Sequence, residues 1–137
     1  MDFDDTPEEA EFRAGARAWL MAEKPDDLLQ ELVAAEAFEP TERAVGLVRA
    51  SKAWQQRKFA GGWACLSWPK AFGGRGATPI ERVIWDQEES RYAALSSVFQ
   101  IGQGMCGPTL MAFAVALGSP RYWENRLIDA MLRRNAA

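Results

Sequence analysis

The sequence contains no histidine and only two cysteines. Without histidine, the chain cannot form a histidine-ligated metal centre or use a histidine as a general base. Cys65 and Cys106 lie far apart among apolar or small residues, which favours two reduced thiols packed as small hydrophobic groups over a disulfide or a metal site. No apolar run approaches the length of a membrane span. We therefore predict no metal centre and no membrane-spanning helix.

Basic residues are scarce relative to acidic ones: 16 Lys and Arg stand against 19 Asp and Glu, for a net charge of -3. Because phosphate binding needs clustered excess cations, this composition argues against nucleic acid as a partner. The N-terminal sequence Met1–Asp5 is acidic where an export or transit peptide would be basic, which predicts a cytoplasmic location. The 137 residues, 48% of them hydrophobic, suit one folded domain.

Two short segments mark the starts of helices. Residues 6–9 (Thr-Pro-Glu-Glu) and 78–81 (Thr-Pro-Ile-Glu) each offer a capping hydroxyl, a proline at the first helical position and a carboxylate three residues after the hydroxyl. Pro25 ends the first helix, because the residue before a proline avoids the helical region. A second helix is predicted from Asp26 or Asp27 to about Phe38.

The third helix is predicted from a cap at Thr41, after a stop at Pro40, to about Ala60, with Gly61-Gly62 as its C-terminal stop. Five cations of this helix are assigned to a solvated face: Arg43, Arg49, Lys52, Arg57 and Lys58. A short helix is predicted near residues 94–103, and Pro108 opens a core helix. A last amphipathic helix carries Trp123, Leu127, Ile128 and Met131.

Apolar residues recur at helical spacing and predict the inner face of each helix. In the first helix these are Phe12, Ala16, Trp19 and Leu20, with Glu23 at the margin. In the second they are Leu28, Leu29, Leu32 and Val33. In the helix after Thr78 they are Ile80, Val83, Ile84, Gln87 and Arg91. No strand pattern or repeat stands out, so we predict an all-α protein, an orthogonal bundle of about five to six helices.

The segment from Trp63 to Ala77 has neither helical nor strand periodicity. Within it, Gly73-Gly74-Arg75-Gly76 precedes a helix start, where free N–H groups can hold an anion. It lacks the Gly-Lys-Ser/Thr ending of a nucleotide loop and the strand of a dinucleotide site, so a tight turn with positive φ is favoured over a phosphate site. Trp63 and Trp68 are expected to pack this loop against the helices and to serve stability.

Four carboxylates lie on the next helix: Glu81, Asp86, Glu88 and Glu89. Paired carboxylates act as general acids or bases when burial raises one pKa. Glu88 and Glu89 are consecutive, hence about 100° apart around a helix, and Arg82, Arg91 and Lys70 are nearby as counter-ions. Structural ion pairs are therefore favoured over catalysis, and no catalytic residue is assigned.

Two segments resemble a known family. Residues 61–82 contain Gly-Trp, Trp-Pro and Phe-Gly-Gly-x-Gly elements, followed by the Glu-rich helix at 80–89, and residues 101–113 form a Gly-rich run with a methionine. Both are similar to the N-terminal domain of acyl-CoA dehydrogenases and together cover roughly the first four-fifths of the chain. The resemblance implies that helical domain over residues 1–113, followed by a divergent helical tail over 114–137.

The resemblance also implies FAD-dependent α,β-dehydrogenation of acyl-CoA thioesters. In that family the catalytic base is a Glu of the C-terminal domain and most flavin contacts come from other domains, so this chain is not expected to hold FAD alone. The segment from Phe99 to Thr109 corresponds to one wall of the family's acyl pocket, with ordinary core packing as an equal alternative. The candidate substrate contacts are Phe99, Ile101, Gln103, Met105 and Thr109.

Two hypotheses of different class follow. In the first, the chain is a truncated or split acyl-CoA dehydrogenase-like protein that contributes the N-terminal domain and part of the acyl pocket, with a complementary dehydrogenase chain or a second copy of itself as partner. In the second, it is a non-catalytic helical protein-interaction module. In both, exposed apolar residues of the region from Phe99 to Leu117 are expected to mediate association.

Overall fold

The computed structural model describes residues 5–35 and 39–116. These residues form six α-helices, two 3-10 turns and one π-helical turn, without a strand in the described ranges. The α-helices are α1 Pro7–Glu23, α2 Asp26–Ala35, α3 Pro40–Ala60, α4 Pro79–Glu88, α5 Ala93–Ser97 and α6 Gly107–Ala116. The 3-10 turns are Lys70–Phe72 and Ser90–Tyr92, and the π-turn is Gly102–Cys106. The all-helical prediction is confirmed, whereas the helix predicted around Trp123 lies outside the described residues.

The capping boxes predicted at the starts of α1 and α4 are present. The Thr6 hydroxyl accepts from the backbone N–H of Glu9, whose carboxylate accepts from the Thr6 N–H at 2.8 Å. Thr78 and Glu81 repeat the arrangement on α4. The cap predicted at Thr41 is wrong: the cap position is Glu39 and α3 begins at Pro40, two residues earlier than predicted, because a proline is well suited to the first helical position, where its missing N–H costs no hydrogen bond.

The core is built around tryptophans from three helices and the central loop. α1 packs against α4, while α2 and α5 pack against α3. Trp63 of the loop stacks on Trp85 of α4 with ring centroids 4.6 Å apart. The ring centroid of Trp19 lies within 6.0 Å of the ring centroids of Trp54, Trp63 and Trp85. Such ring contacts add to the energy of burial. The predicted inner face of α1 is confirmed, with Ala16 and Leu20 buried and Phe12 and Trp19 packed against the core.

The predicted inner face of α4 is wrong in part. Ile84 is buried as predicted, but the other fully buried residue is Trp85, while Ile80 and Val83 are half exposed. Gln87 and Arg91 are exposed as well. The helix is rotated toward Trp85 because stacking this indole on Trp63 removes more apolar surface from water than burying a valine would.

On α2 the prediction fails at one position. Leu28 is buried, and Leu29 and Leu32 pack partly against the core. Val33, however, is 67% exposed, because consecutive residues on a helix point about 100° apart and Leu32 already occupies the edge of the buried face.

Ion pairs between distant segments fix the helices relative to one another. The Glu88 carboxylate accepts from Arg13 and Arg17, which joins α4 to α1. Asp27 of α2 pairs with Arg57 of α3. The hydrogen bond from Arg17 lowers the pKa of Glu88 most strongly, while burial opposes the shift and the Arg13 bond adds to it.

Stability is expected to fall in acid because of Glu88. Its folded pKa is depressed below the ordinary value of 4.5, so its stabilising contribution is present above that value and is lost as the pH falls through the folded pKa. Urea unfolding between about pH 6 and about pH 3 measures this loss. Glu88→Gln should flatten the pH dependence, whereas Glu42→Gln, at an exposed position of α3, should leave it unchanged. Equal slopes in the two variants would contradict the assignment to Glu88.

Candidate functional site

A cavity of about 360 Å³ opens between the end of α3, the central loop, α4 and the segment after α5. This volume is within the range of small-molecule sites. Its lining includes Lys58, Trp63, Trp68, Arg82, Glu89 and Gln103. The cavity is therefore the candidate site, and its chemistry depends on how these side chains are paired.

Two pairs of residues spaced four apart, one on α3 and one at the end of α4, hold the buried charges beside the cavity. On α3, Lys58 lies one turn after Trp54, with its ammonium 5.7 Å from the indole centroid. At the end of α4, Glu89 lies one turn after Trp85 and accepts from its indole N–H at 2.7 Å. Helical spacing of four places both members of each pair on one face. The two faces meet, and Lys58 donates to Glu89 at 2.8 Å.

The Glu89 carboxylate is buried and accepts hydrogen bonds from four side chains. Its Oε1 accepts from Trp54 Nε1, Lys58 Nζ and Ser96 Oγ at 2.8, 2.8 and 2.6 Å, and its Oε2 accepts from Trp85. Oε1 thus takes three of the four donors and Oε2 takes one. Glu89 is held in place by hydrogen bonds from four side chains on three segments of the chain.

These contacts show how the carboxylates of α4 and the cations of α3 are paired. The predicted ion pairs are present for Asp86, Glu88 and Glu89. Arg82 is a counter-ion as predicted, to Asp86, but Glu88 pairs with Arg13 and Arg17 instead of a predicted cation. Glu89 pairs with Lys58, which is only 4% exposed, so the assignment of Lys58 to a solvated face is also wrong. A buried charge needs an opposite charge beside it. For Lys58 that partner is Glu89, which lies 31 residues later in the sequence.

At the rim of the cavity, Arg82 and Asp86 form the predicted kind of ion pair. Both lie on α4 at a spacing of four, and the Arg82 Nε donates to the two Asp86 oxygens at 2.9 and 3.0 Å. Both side chains remain partly exposed, so the pair adds little stability. Its position at the mouth of the cavity still places a guanidinium beside any ligand.

Cys65 lies in the cavity wall but is a poor nucleophile. Burial raises the pKa of its thiol to about 11, an effect that Lys58 and Arg82 only partly oppose. At neutral pH the thiolate, which is the reactive form, is therefore a very small fraction. Both cysteines are free, as predicted. Cys106 is exposed, so the prediction that it packs as a small hydrophobic group is wrong.

The loop from Trp63 to Ala77 forms another wall, with Trp68 as its anchor. Trp68 is buried, and its indole N–H donates to the backbone carbonyl of Gln103 at 2.9 Å, which ties the loop to the π-turn. Gly74 approaches so closely that a Cβ there would lie 2.0 Å from the Trp68 carbonyl oxygen. The loop therefore packs as predicted for Trp63 and Trp68.

The glycine turn is structural. Gly73 and Gly76 have φ values of 80° and 66°, which favour glycine. The backbone N–H groups of Gly73, Gly74 and Gly76 donate to carbonyls of Lys70, Pro69 and Trp68 within the loop. The tight turn is confirmed, and these three N–H groups are not available to an anion.

The five candidate substrate contacts are dispersed by the π-turn. Gln103 lines the cavity, and the side chain of Phe99 is partly buried outside the cavity lining. Ile101 and Met105 are 69% and 67% exposed, and the Thr109 hydroxyl donates to the Met105 carbonyl. Because a π-turn closes over five residues instead of four, side chains that share a face of an ordinary helix separate here.

Sequence reasoning missed the contact between Lys58 and Glu89. Both residues hydrogen-bond to Ser96 in the cavity lining, although Lys58 lies 31 residues before Glu89. One signal was present: Trp54 precedes Lys58 and Trp85 precedes Glu89 by four residues each. Two such aromatic-charge pairs of opposite sign on neighbouring helices indicate a buried ion pair between them.

The described residues contain no group of three or more His, Cys, Asp or Glu side chains placed to bind a metal ion. Among the helices of residues 5–35 and 39–116, none is long and apolar enough to cross a membrane.

Comparison with known sequences places this geometry in a family. The family model described as the N-terminal domain of acyl-CoA dehydrogenase matches residues 6–116. The chain belongs to the acyl-CoA dehydrogenase family. It is 36% identical over 112 residues to acyl-CoA dehydrogenase IpdE1 of Mycobacterium tuberculosis and 32% identical over 112 residues to IpdE1 of Mycolicibacterium smegmatis. Each match covers 82% of this chain and 28% of the relative. No solved structure gives a significant match.

The candidate cavity lies within the acyl-CoA dehydrogenase domain. Its lining runs from Lys58 to Gly104, inside the matched range of 6–116. The chain spans a little over a quarter of the length of these relatives.

Proposed function

We propose that this chain supplies the N-terminal domain of an acyl-CoA dehydrogenase that performs FAD-dependent α,β-dehydrogenation, and that its cavity forms one wall of the acyl pocket. The observation that carries the proposal is the position of Gln103. This residue belongs to the Gly-rich run that resembles the family, lies within the matched domain and lines the 360 Å³ cavity. Ile101 and Met105 face outward, available to the acyl group or to another domain.

The catalytic base is expected from outside this chain. Glu89 is the one buried carboxylate among the described residues, and its oxygens are occupied by four donors. In this proposal the domain binds the acyl group, orients it and excludes water from it. The domain boundary near residue 113, the tail over residues 114–137 and a cytoplasmic location remain predictions.

FAD is the cofactor implied by the family, but the described residues do not fit it. The glycine turn, the segment most suited to a phosphate, uses its N–H groups within the loop. The indole N–H groups of Trp68 and Trp85 are occupied by the Gln103 carbonyl and by Glu89. We therefore derive no step through the flavin and expect other domains to hold it.

The proposal predicts that the purified chain is colourless. It also predicts that residues 6–116, exchanged for the corresponding domain of the Mycobacterium tuberculosis relative, give a chimera that binds flavin and reduces an electron acceptor with an acyl-CoA. Flavin absorbance reports on the first part and acceptor reduction on the second. Stoichiometric flavin in the chain alone, or a chimera that binds flavin without oxidising acyl-CoA, would contradict the proposal.

A second candidate function is a non-catalytic helical interaction module, favoured by exposed apolar side chains. Val98, Ile101, Met105 and Phe113 are all exposed around the π-turn and α6, and clustered exposed apolar groups mark interfaces. Both candidates predict association, with a second copy or with a complementary dehydrogenase chain. They differ in the chimera, because a module without a catalytic role would not restore oxidation of acyl-CoA.

A further inference from the structure

α6 is an apolar helix with few neighbours. Its sequence from Gly107 to Ala116 contains no charged residue, and a helix that is apolar on every side belongs in a core. Among the elements of residues 5–35 and 39–116, however, α6 packs extensively only against the π-turn. Phe113 on α6 and Met105 on the π-turn are 66% and 67% exposed. The face that these two residues share, here called the α6 face, therefore lacks the partner that its composition calls for.

The sequence directly after α6 has the pattern of such a partner. Residues 120–131, here called the cover segment, lie outside the described residues, so their helix is a prediction from the sequence. Pro120 suits the first position of a helix. Four apolar residues then follow at helical spacing: Trp123, Leu127, Ile128 and Met131. Only residues 117–119 separate this helix from α6, and helices joined by so short a connection pack as antiparallel neighbours.

The spacing of apolar residues matches on the two sides of Gly118. Phe113 lies five residues before this glycine and Trp123 lies five residues after it. Met105 and Met131 lie thirteen residues before and after it. Because an α-helix rises about 1.5 Å per residue, residues equally distant from the turn of an antiparallel helix pair lie side by side. The two exposed side chains of the α6 face are thus each opposite an apolar residue of the cover segment.

Proximity favours the cover segment over a second copy of the chain as the partner of this face. A short connection holds two groups at an effective concentration on the order of 1 mM, and closing a short loop costs less entropy than closing a long one. A second copy competes only at the concentration of the protein. The intramolecular contact therefore forms first.

We propose that the cover segment packs as a helix on the α6 face, with Trp123 against Phe113 and Met131 against Met105. The face is then covered within one chain. Association with another chain or domain through this face requires that the cover segment leave it first. The packing holds whether or not the domain takes part in catalysis, and so goes beyond the proposed function.

A disulfide cross-link in the full chain tests this arrangement, with the native Cys106 as one thiol. Cys106 is exposed at the end of the π-turn, twelve residues before Gly118, and Ala130 lies twelve residues after it. Ala130→Cys should form an intramolecular disulfide with Cys106 under mild oxidation, because only cysteines whose Cβ atoms face each other can bridge. Asp129→Cys is the matched control. Its side chain points about 100° away around the helix, and its bond should form about tenfold more slowly.

Proteolysis of the full chain gives a second, independent measurement. Phe113→Asp places a charge in the α6 face and should release the cover segment, so that trypsin cleaves after Arg126 about tenfold faster, since cleavage follows the population of the open form. Val45→Asp makes the same change at a position of similar exposure on α3, 64% against 66%. This control should leave the cleavage rate after Arg126 unchanged.

Peptide mass mapping identifies the bonded cysteines, and rates at two protein concentrations separate bonds within a chain from bonds between chains. We expect the faster bond for Ala130→Cys, within one chain and at a rate independent of concentration. Equal rates for Ala130→Cys and Asp129→Cys, including no bond in either, would overturn the proposal. So would a bond between chains that forms faster at higher concentration, because a second copy would then cover the face. Equal tryptic rates for Phe113→Asp and Val45→Asp would overturn it as well. None of these results bears on the chimera, so the proposed function is tested separately.

Discussion

Glu89→Gln is expected to lower the free energy of unfolding by about 3–5 kcal/mol, the range for breaking a buried ion pair by removing one partner. The substitution leaves the Lys58 ammonium, only 4% exposed, without its opposite charge. It also replaces one acceptor oxygen by an NH₂ group that faces a donor, because both carboxylate oxygens accept N–H bonds. Urea unfolding followed by circular dichroism measures the change.

Two further variants separate this effect from a general loss of charge. Glu31→Gln removes a carboxylate that faces Arg49 at 3.9 Å on the surface, and should cost about 0–1 kcal/mol. Lys58→Met combined with Glu89→Gln removes both buried charges and should recover part of the loss. If Glu89→Gln costs no more than the surface variant, the buried network does not stabilise the domain as argued.

Trp68→Ala is expected to cost about 3–5 kcal/mol, as for other buried aromatic residues. The indole is buried, and its ring fills the space above Gly107 so closely that a Cβ there would lie 2.2 Å from it. Its removal leaves a cavity and an unsatisfied Gln103 carbonyl. A domain with about 5–15 kcal/mol of total stability is severely weakened by such a loss.

Trp68→Phe keeps an aromatic ring and removes the indole N–H. The hydrogen bond to Gln103 should then account for about 1 kcal/mol of the loss. Phe59→Ala, at a half-exposed site on α3, is the control and should cost much less than Trp68→Ala in the same guanidinium titration. An unchanged midpoint for Trp68→Ala would show that the loop does not depend on this residue.

Local signals predicted the fold well. The caps at Thr6 and Thr78 were identified because a capping box consists of residues four positions apart or fewer. The glycine turn was identified because positive φ restricts a position almost to glycine. Each of these features is determined by neighbours in the sequence, so the sequence alone was sufficient.

Features that depend on distant neighbours were missed. The rotation of α4 follows from the stacking of Trp85 on Trp63, a contact that periodicity within α4 cannot show. Lys58 was assigned to the surface because a lysine is rarely buried without a partner, and its partner Glu89 lies on another helix. Of the candidate substrate contacts, Gln103 lines the cavity, whereas Ile101 and Met105 are exposed, a separation by the π-turn that the spacing in the sequence could not show.

The ion pair between Arg13 and Glu88 joins residues 75 positions apart, and this separation affects how the protein forms during synthesis. Chains leave the ribosome N-terminus first at about 5–20 residues per second, so α1 emerges about 4–15 s before the helix against which it packs. During that time the apolar face of α1, with Ala16 and Leu20 at its centre, stays exposed to water. The contact between α1 and α4 can therefore form only after α4 has been synthesised.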